Sequence, residues 1–357
     1  MTTQNLLVEL LVEELPPKVL KKLGDAFAQS VWAGLADVQL LENSQTSVSG
    51  PTYKAFASPR RLAVWIKDVK AQAADKPLEQ KLMPVSVGLT PDGQATPALL
   101  KKLNALGVDT TDAATVVKQL QRLSDGKAEV LYYNSMAKGA SLQQGLQSAI
   151  EHALAKLPIP KVMQYQLHQQ CEMPGWSTVS FVRPAHGLIA LHGNQLVPVT
   201  VLGLSAGNST HGHRFEASQH PVHIAHADAY EETMASQGAV IASFDARSVA
   251  MVCALREQAK QLGCRLEVEP AGLTDKQAEE ALRHNELVQE VTALVERPNV
   301  LTCEFEKQFL EVPQECLILT MKANQKYFPL LTAQGKLTHQ FLVVSNISPA
   351  DASAVIG

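Results

Sequence analysis

From Ser141 onward the chain lays down one long helix and then forbids its continuation. Leu142, Leu146, Ala149, Ile150, Ala153, Leu154 and Leu157 recur at the i, i+4, i+7, i+8 spacing that gathers apolar side chains on one helical face. Pro158 and Pro160 follow, removing backbone amides and adding ring clashes that a helix does not tolerate. This stop predicts a domain boundary at residue 157.

Two units are expected before that boundary. In the first, 1–70, residues 5–12 read as a buried strand. Pro16-Pro17 open an amphipathic helix with Leu20, Leu23, Phe27, Val31 and Leu35 on one face, proline being tolerated in a first turn. Two β runs, 51–57 and 61–69, flank a loop holding Pro59-Arg60-Arg61, so the unit reads β-α-β-β. The second unit, 71–157, carries a helix from Thr96 to Leu106, a β pair around Gln119 to Ser135 turned by Asp125-Gly126, and the long helix.

The third region, 158–350, begins with β signals. His186–His192 and Leu196–Leu202 form a hairpin around Gly193-Asn194. Ser243 can cap a helix that buries Val252, Leu255, Ala259 and Leu262 and ends at Gly263. A helix Glu286–Val295, a strand Val300–Phe305, a helix Pro313–Ala323 and a hairpin around Gln334-Gly335 complete it. Strands and helices mixed without regular alternation predict an α+β fold, multidomain, with mixed sheets and packed helices. There is no internal repeat and no low-complexity tract.

A chain of 357 residues, 46% of them hydrophobic, suits two or three domains with real cores. The apolar run Leu6 to Val12 is broken by Glu9 and is far short of the roughly 20 residues that span a bilayer. No basic-then-apolar signal segment opens the chain, so a cytoplasmic protein with no membrane partner is expected. Cys171, Cys253, Cys264, Cys303 and Cys316 are odd in number, widely spaced and free of any C-x-x-C pair, which predicts reduced core residues. Cys303, for one, lies between Leu301 and Phe305 on one face of an alternating run.

The chain lacks G-x-x-x-x-G-K-[ST], G-x-G-x-x-G and a Gly-rich strand ending in a lone arginine, so no ATP or Mg2+ site is expected in it. The R-x-E tripeptides Arg214–Glu216 and Arg265–Glu267 read as chance matches. A net charge of −4 gives no global attraction for RNA, so a nucleic-acid surface would have to be a local patch. Pro59-Arg60-Arg61 could present two bidentate guanidiniums to RNA phosphates, or pair with a carboxylate such as Glu13 or Glu14 within the chain or across subunits. His211-x-His213-Arg214 offers two imidazoles where a metal needs three or four ligands, and His223 and His226 look scattered. The residues could hold the loop Gly207–Thr210 by hydrogen bonds, or Arg214 could meet a phosphate. Lys322, Gln325, Lys326 and Tyr327 combine charge, amide and aromatic at a helix-to-strand junction, which suits a single-stranded RNA end. Against that, Tyr327 and Phe328 could be core and the lysines solvated. Arg183 completes the candidate contacts; no catalytic, cofactor or metal residue is assigned.

Several segments occur in a telling order: Glu13-Glu14-Leu15-Pro16-Pro17, Ser58-Pro59-Arg60-Arg61-Leu62-Ala63, Leu157-Pro158-Ile159-Pro160-Lys161, Phe181-Val182-Arg183-Pro184-Ala185-His186 and His211-Gly212-His213-Arg214-Phe215. Thr320 to Leu330, Gly335-Lys336-Leu337 and Phe341 to Asn346 follow. Almost end to end, the chain resembles the beta subunit of bacterial heterotetrameric glycyl-tRNA synthetase. It departs at Val12, where the family has Thr, at Leu82-Met83-Pro84, where it has Gly-Pro, and at residues 166–178, which look inserted.

The resemblance implies that the third region is similar to the B3/B4-type domain of the phenylalanyl-tRNA synthetase beta subunit. It also implies that the family's chain continues into a helical HD-type region and an anticodon-binding tail, making this an N-terminal fragment. The implied role is the non-activating subunit of an alpha2beta2 glycine–tRNA ligase, a class II synthetase complex. Its implied partners are the alpha subunit, where ATP and Mg2+ are used, and glycine tRNA, and the fragment alone would be inactive. A tRNA-editing hydrolase or stand-alone RNA-binding module is the alternative, because related B3/B4 domains edit. Editing has little to do here, since glycine is the smallest amino acid and a tight pocket rejects every rival by clash.

Overall fold

The computed structural model describes residues 3–41, 52–124, 128–159, 161–168 and 171–348. Strand β1 (Thr3–Val12) is buried continuously from Leu6 to Val12, Glu9 included. A 3-10 turn at Pro17–Val19 leads into α1 (Leu20–Asp37), whose stripe of Leu20, Leu23, Phe27, Val31 and Leu35 is fully buried, as its spacing predicts. Strands β2 (Tyr53–Ser58) and β3 (Arg61–Lys70) pair in a register that sets Ser58 opposite Arg61. The loop is therefore only Pro59-Arg60, and Arg61 opens the strand.

Residues 72–141 form a compact unit of their own. It contains β4 (Lys76–Pro84), the short α2 (Val85–Gly88), α3 (Pro97–Ala105), α4 (Ala113–Gln119), β5 (Leu120–Ser124) and β6 (Glu129–Ala137). The antiparallel sheet runs β4-β6-β5, and Leu82, Leu99, Leu103, Val116, Leu120 and Leu131 make its core. Thr96 caps α3 by accepting the Leu99 amide at 3.4 Å. The expected Asp125-Gly126 turn lies outside the described residues.

The long helix is α5 (Leu142–Lys156), and it belongs to the other unit, residues 1–71 with 142–357. Its buried face, Leu142, Leu146, Ala149, Ile150 and Ala153, packs on α1. The contact is close: a Cβ on Gly34 would stand 2.7 Å from that of Ala149. The expected boundary at 157 is thus corrected, because the stripe finds its partner in α1 and the break falls before the helix. Pro160 lies outside the described residues.

Strands β7 (Met163–Gln166) and β8 (Thr178–Phe181) form a hairpin where the sequence looks inserted. Next, β9 (Ala185–His192) lies antiparallel beside β1, with Glu9 opposite Ile189, and the five-stranded order is β10-β9-β1-β3-β2. Residues 1–70 are accordingly not a unit by themselves: the third region supplies a flanking strand of their sheet. The hairpin at Gly193-Asn194 forms, but β10 (Gln195–Leu196) is two residues long. Pro198 brings no amide to a ladder, and the expected strand 196–202 gives way to β11 (Thr200–Val201) pairing with β12 (Leu204–Ser205).

Strands β13 (Ser209–Thr210) and β14 (Val222–His223) pair, then α6 (Tyr230–Ser236) and α7 (Phe244–Gln261) follow. The Ser243 hydroxyl accepts the Ala246 amide at 3.2 Å, and Gly263 closes the helix at φ 66°. The rest is β15 (Arg265–Leu266), α8 (Asp275–Arg283), α9 (Glu286–Thr292), β16 (Asn299–Glu304), α10 (Gln314–Thr320), β17 (Phe328–Leu331) and β18 (Leu337–Ser345). The sheet β15-β17-β18-β16 packs with α7 to α9 around Val252, Leu255, Leu282, Val288, Phe328, Leu330 and Leu342. All ladders between these named strands are antiparallel, so the fold is mixed helix and sheet without β-α-β-α alternation. The expected helix 313–323 splits at Thr320 into α10 and a wide π-type turn, Met321–Gln325. Of the cysteines only Cys303 is buried; Cys253 and Cys316 are exposed, so the expectation of core thiols fails for them.

Candidate interface at the ends of β1, β3 and β9

Strand alternation puts Glu9 on the face of β1 that carries Leu7, turned toward Tyr230. Its carboxylate accepts hydrogen bonds from the hydroxyls of Thr210 and Tyr230 and lies 3.5 Å from the Arg61 guanidinium. Arg61 is fully enclosed. It donates to Ser58 Oγ and Glu296 Oε1, each at 3.2 Å, and to the His211 carbonyl at 2.6 Å. Its neighbour Arg60 grips both oxygens of Glu296 at 3.2 and 2.9 Å and reaches the Gly212 carbonyl at 2.9 Å. Two consecutive guanidiniums therefore share one carboxylate that is only 2% exposed.

The electrostatics follow from that enclosure. Burial pushes the Glu296 carboxyl up, but Arg61 and Arg60 outweigh it and hold the group below the usual range. Burial, then the Glu9 charge, pushes the Tyr230 phenol well above its ordinary value, so it remains a donor. Arg247 on α7 has no such carboxylate grip. It donates to the carbonyls of Thr292 (3.0 Å), Ile241 (2.6 Å), Ser243 (3.4 Å) and Ala57 (2.8 Å), tying α7 to β2 and α9. Burial lowers its pKa to about 9, with Glu296 opposing that shift and Arg61 adding to it.

Arg60 also lines a cleft of about 430 Å³ with Leu11, Val12, Glu13, His186, His211 and Arg214. Glu13 meets His186 Nε2 at 2.8 Å and accepts from Arg214 at 3.2 Å. Arg183 donates to the Glu14 carbonyl at 3.0 Å. Motif segments far apart in sequence thus converge on one surface. Arg60 and Arg214 already face carboxylates there, an arrangement suited to recognition more than to acid–base or nucleophilic chemistry.

His213 does not join His211 there. It is 1% exposed, and its Nδ1 accepts the amides of Phe215 and Glu216 at 3.2 Å each, which puts the ring proton on Nε2. Among the described residues no group of three or more His, Cys, Asp or Glu is placed to hold a metal ion. Arg61, being enclosed, presents no donor to an RNA phosphate, and the carboxylates it finds are Glu9 and Glu296 rather than Glu13 or Glu14.

The remaining candidates sit elsewhere, between the four-stranded sheet and its helices. Lys322 pairs with Glu267 at 2.7 Å and Lys326 with Glu290 at 3.0 Å, so the lysines are neither free nor simply solvated. Tyr327 stacks on Phe341 with centroids 4.8 Å apart, Phe328 is fully buried, and Gln325 is exposed. The residues that sequence reasoning passed over are Glu9, Tyr230, Arg247 and Glu296. Two left a signal: Glu9 interrupts an apolar strand, and Arg247 precedes Met251 and Leu255 at the i, i+4, i+8 spacing of a buried stripe.

Residues 6–357 match the family profile described as glycyl-tRNA synthetase beta subunit. The chain belongs to that family. It is 61% identical over 357 residues to the glycine–tRNA ligase beta subunit of Polaromonas naphthalenivorans, covering 100% of this chain and 48% of the relative. Identity to the Acidovorax sp. (strain JS42) beta subunit is 62% over 358 residues, 100% of this chain and 46% of that one. For Dechloromonas aromatica it is 59% over 357 residues, with 100% and 47% covered. The chain spans about half the length of the curated relatives it matches. No helix among the described residues is long and apolar enough to cross a membrane.

Proposed function

We propose that this chain serves a cytoplasmic glycine–tRNA ligase as its non-activating beta part, and that the cleft surface docks the subunit that activates glycine. In this reading ATP and Mg2+ act in the alpha subunit, glycine tRNA is the common substrate, and the assembly is the alpha2beta2 tetramer. The observation that carries the docking role is the pairing of most candidate cations with carboxylates of the chain: Arg60 and Arg61 with Glu296, Arg214 with Glu13, Lys322 with Glu267 and Lys326 with Glu290, while Arg183 meets backbone carbonyls. An RNA grip needs cations left over to displace counterions from phosphates. A protein interface instead tolerates, and is given register by, balanced charges at its rim. The mixture of antiparallel sheet and helices in residues 158–350 supports reading that region as B3/B4-like.

The test uses full-length beta subunit reconstituted with alpha. Arg183→Ala/Arg214→Ala should lower co-purification with alpha and glycine charging together, while the salt dependence of tRNA binding keeps its slope. A slope reduced by one to two units, roughly one per lost phosphate contact, with assembly intact would reject the docking role in favour of RNA.

A further inference from the structure

One stretch of the chain folds regularly without burying anything. From Glu304 to Thr320 no residue is buried, although the stretch includes the 3-10 turn Lys307–Glu311 and the whole of α10. Its ends are nonetheless fixed. Phe305 donates its amide to the His339 carbonyl at 2.9 Å and stacks on Phe341, Gln314 accepts the Leu337 amide at 3.0 Å, and Met321 just beyond is buried. Between these anchors Phe309, Leu310, Val312 and Leu319 stand in water, Leu319 at 68% exposure. Cys316 and Leu319, three residues apart on one side of α10, continue the apolar surface that Phe309, Leu310 and Val312 begin.

The charges around this surface are nearly all of one sign. The stretch carries Glu304, Glu306, Glu311 and Glu315 against a single cation, Lys307. Glu304 and Glu306 accept from the side-chain amides of Gln340 and Gln308, and Glu304 lies 3.8 Å from His339. Among the described residues neither Glu311 nor Glu315 has a cationic partner. Such a rim repels RNA phosphates. It suits an apolar helix face flanked by lysine or arginine, because charged flanks choose the partner of a packed helix.

Resting on the beta-subunit reading above, we infer that α10 docks a cationic amphipathic helix of the beta chain itself, from the half of its relatives' length that this chain does not span. The size of the surface favours a tethered occupant over a separate protein. A handful of apolar side chains falls short of a stable interface between free chains, whereas a short covalent connection supplies about millimolar effective concentration.

Cys316 reports on this surface directly, with exposed Cys253 on α7 as the reference. Maleimide alkylation, resolved by peptide mass spectrometry, is compared between the 357-residue chain and full-length beta subunit without alpha. Relative to Cys253, Cys316 should react roughly tenfold more slowly in the full-length chain, as expected of a covered site that opens only locally. Glu311→Lys/Glu315→Lys should restore its rate there. Equal rates in the two unmutated chains overturn the inference and leave the beta-subunit role intact. Protection that appears only when alpha is added overturns it in favour of a separate partner, and protection that survives the charge reversal overturns the cationic occupant. Glycine charging by alpha that needs no beta chain would sink the beta-subunit reading itself, whatever Cys316 does.

Discussion

Arg256 and Arg61 make the same kind of contact in opposite surroundings. Arg256, half-buried on α7, holds three carboxylates at 2.7 to 3.2 Å, the half-buried Glu269 and the exposed Asp275 and Glu279. Arg61 holds two, at 3.2 and 3.5 Å. By partners and distances Arg256 is the stronger device, yet Asp275 is 93% exposed, whereas the carboxylates on Arg61 are 1% and 2% exposed. Water screens the first network and side-chain entropy opposes it, so it adds little. In the interior the charges have no alternative partner, and removing one strands the others. The comparison teaches that burial, not the number of contacts, ranks charged networks.

The hardest blow to the buried network is Glu296→Ala, which leaves Arg60 and Arg61 without their shared carboxylate. It should cost about 3–5 kcal/mol in chemical denaturation. A loss below about 1 kcal/mol, the surface range, would break the comparison. Arg247→Met keeps apolar volume but deprives four carbonyls of their donor, and should cost roughly 1–3 kcal/mol.

Acid sharpens the contrast further. The folded Glu296 carboxyl lies below its ordinary value of 4.5, so its stabilisation is complete above that value and is lost as pH falls through the folded pKa. Unfolding followed against pH should show a fall below this point that Glu296→Gln makes shallower; equal slopes would mean that other carboxylates govern acid sensitivity. The smallest effect is expected from Arg256→Ala, about 0–1 kcal/mol in dilute buffer, and less in 1 M salt. A larger loss that ignores salt would place Arg256 with the interior network.

Local structure was legible wherever periodicity and caps wrote it. The α1 stripe, the Ser243 cap, the hairpins at Gly193-Asn194 and Gly335, and the β5–β6 pair all read correctly from neighbours in sequence. What could not be read was which stripe meets which. The face of α5 says only that it wants an apolar partner, and α1 lies more than a hundred residues away. The candidate site shows the same divide. Arg60, His186, His211 and Arg214 were visible as motif members and do converge, but their partners are single acids without local context. Glu296 in Val295-Glu296-Arg297 looks like any surface glutamate, and only the packed fold reveals it as the charge that two arginines share.

The β1–β9 ladder bears on how the chain is made. Leu6 to Leu11 take their partners on one side from β3, soon after in sequence, and on the other from residues 187–192. A ribosome adding about 5–20 residues per second must make about 180 more residues after β1 before β9 exists, roughly 10–40 seconds. Through that interval one flank of β1 stays an open, apolar strand edge, the kind that recruits other chains. Yield in the cell should therefore depend on chaperone supply during synthesis more steeply than the stability of the finished protein would suggest.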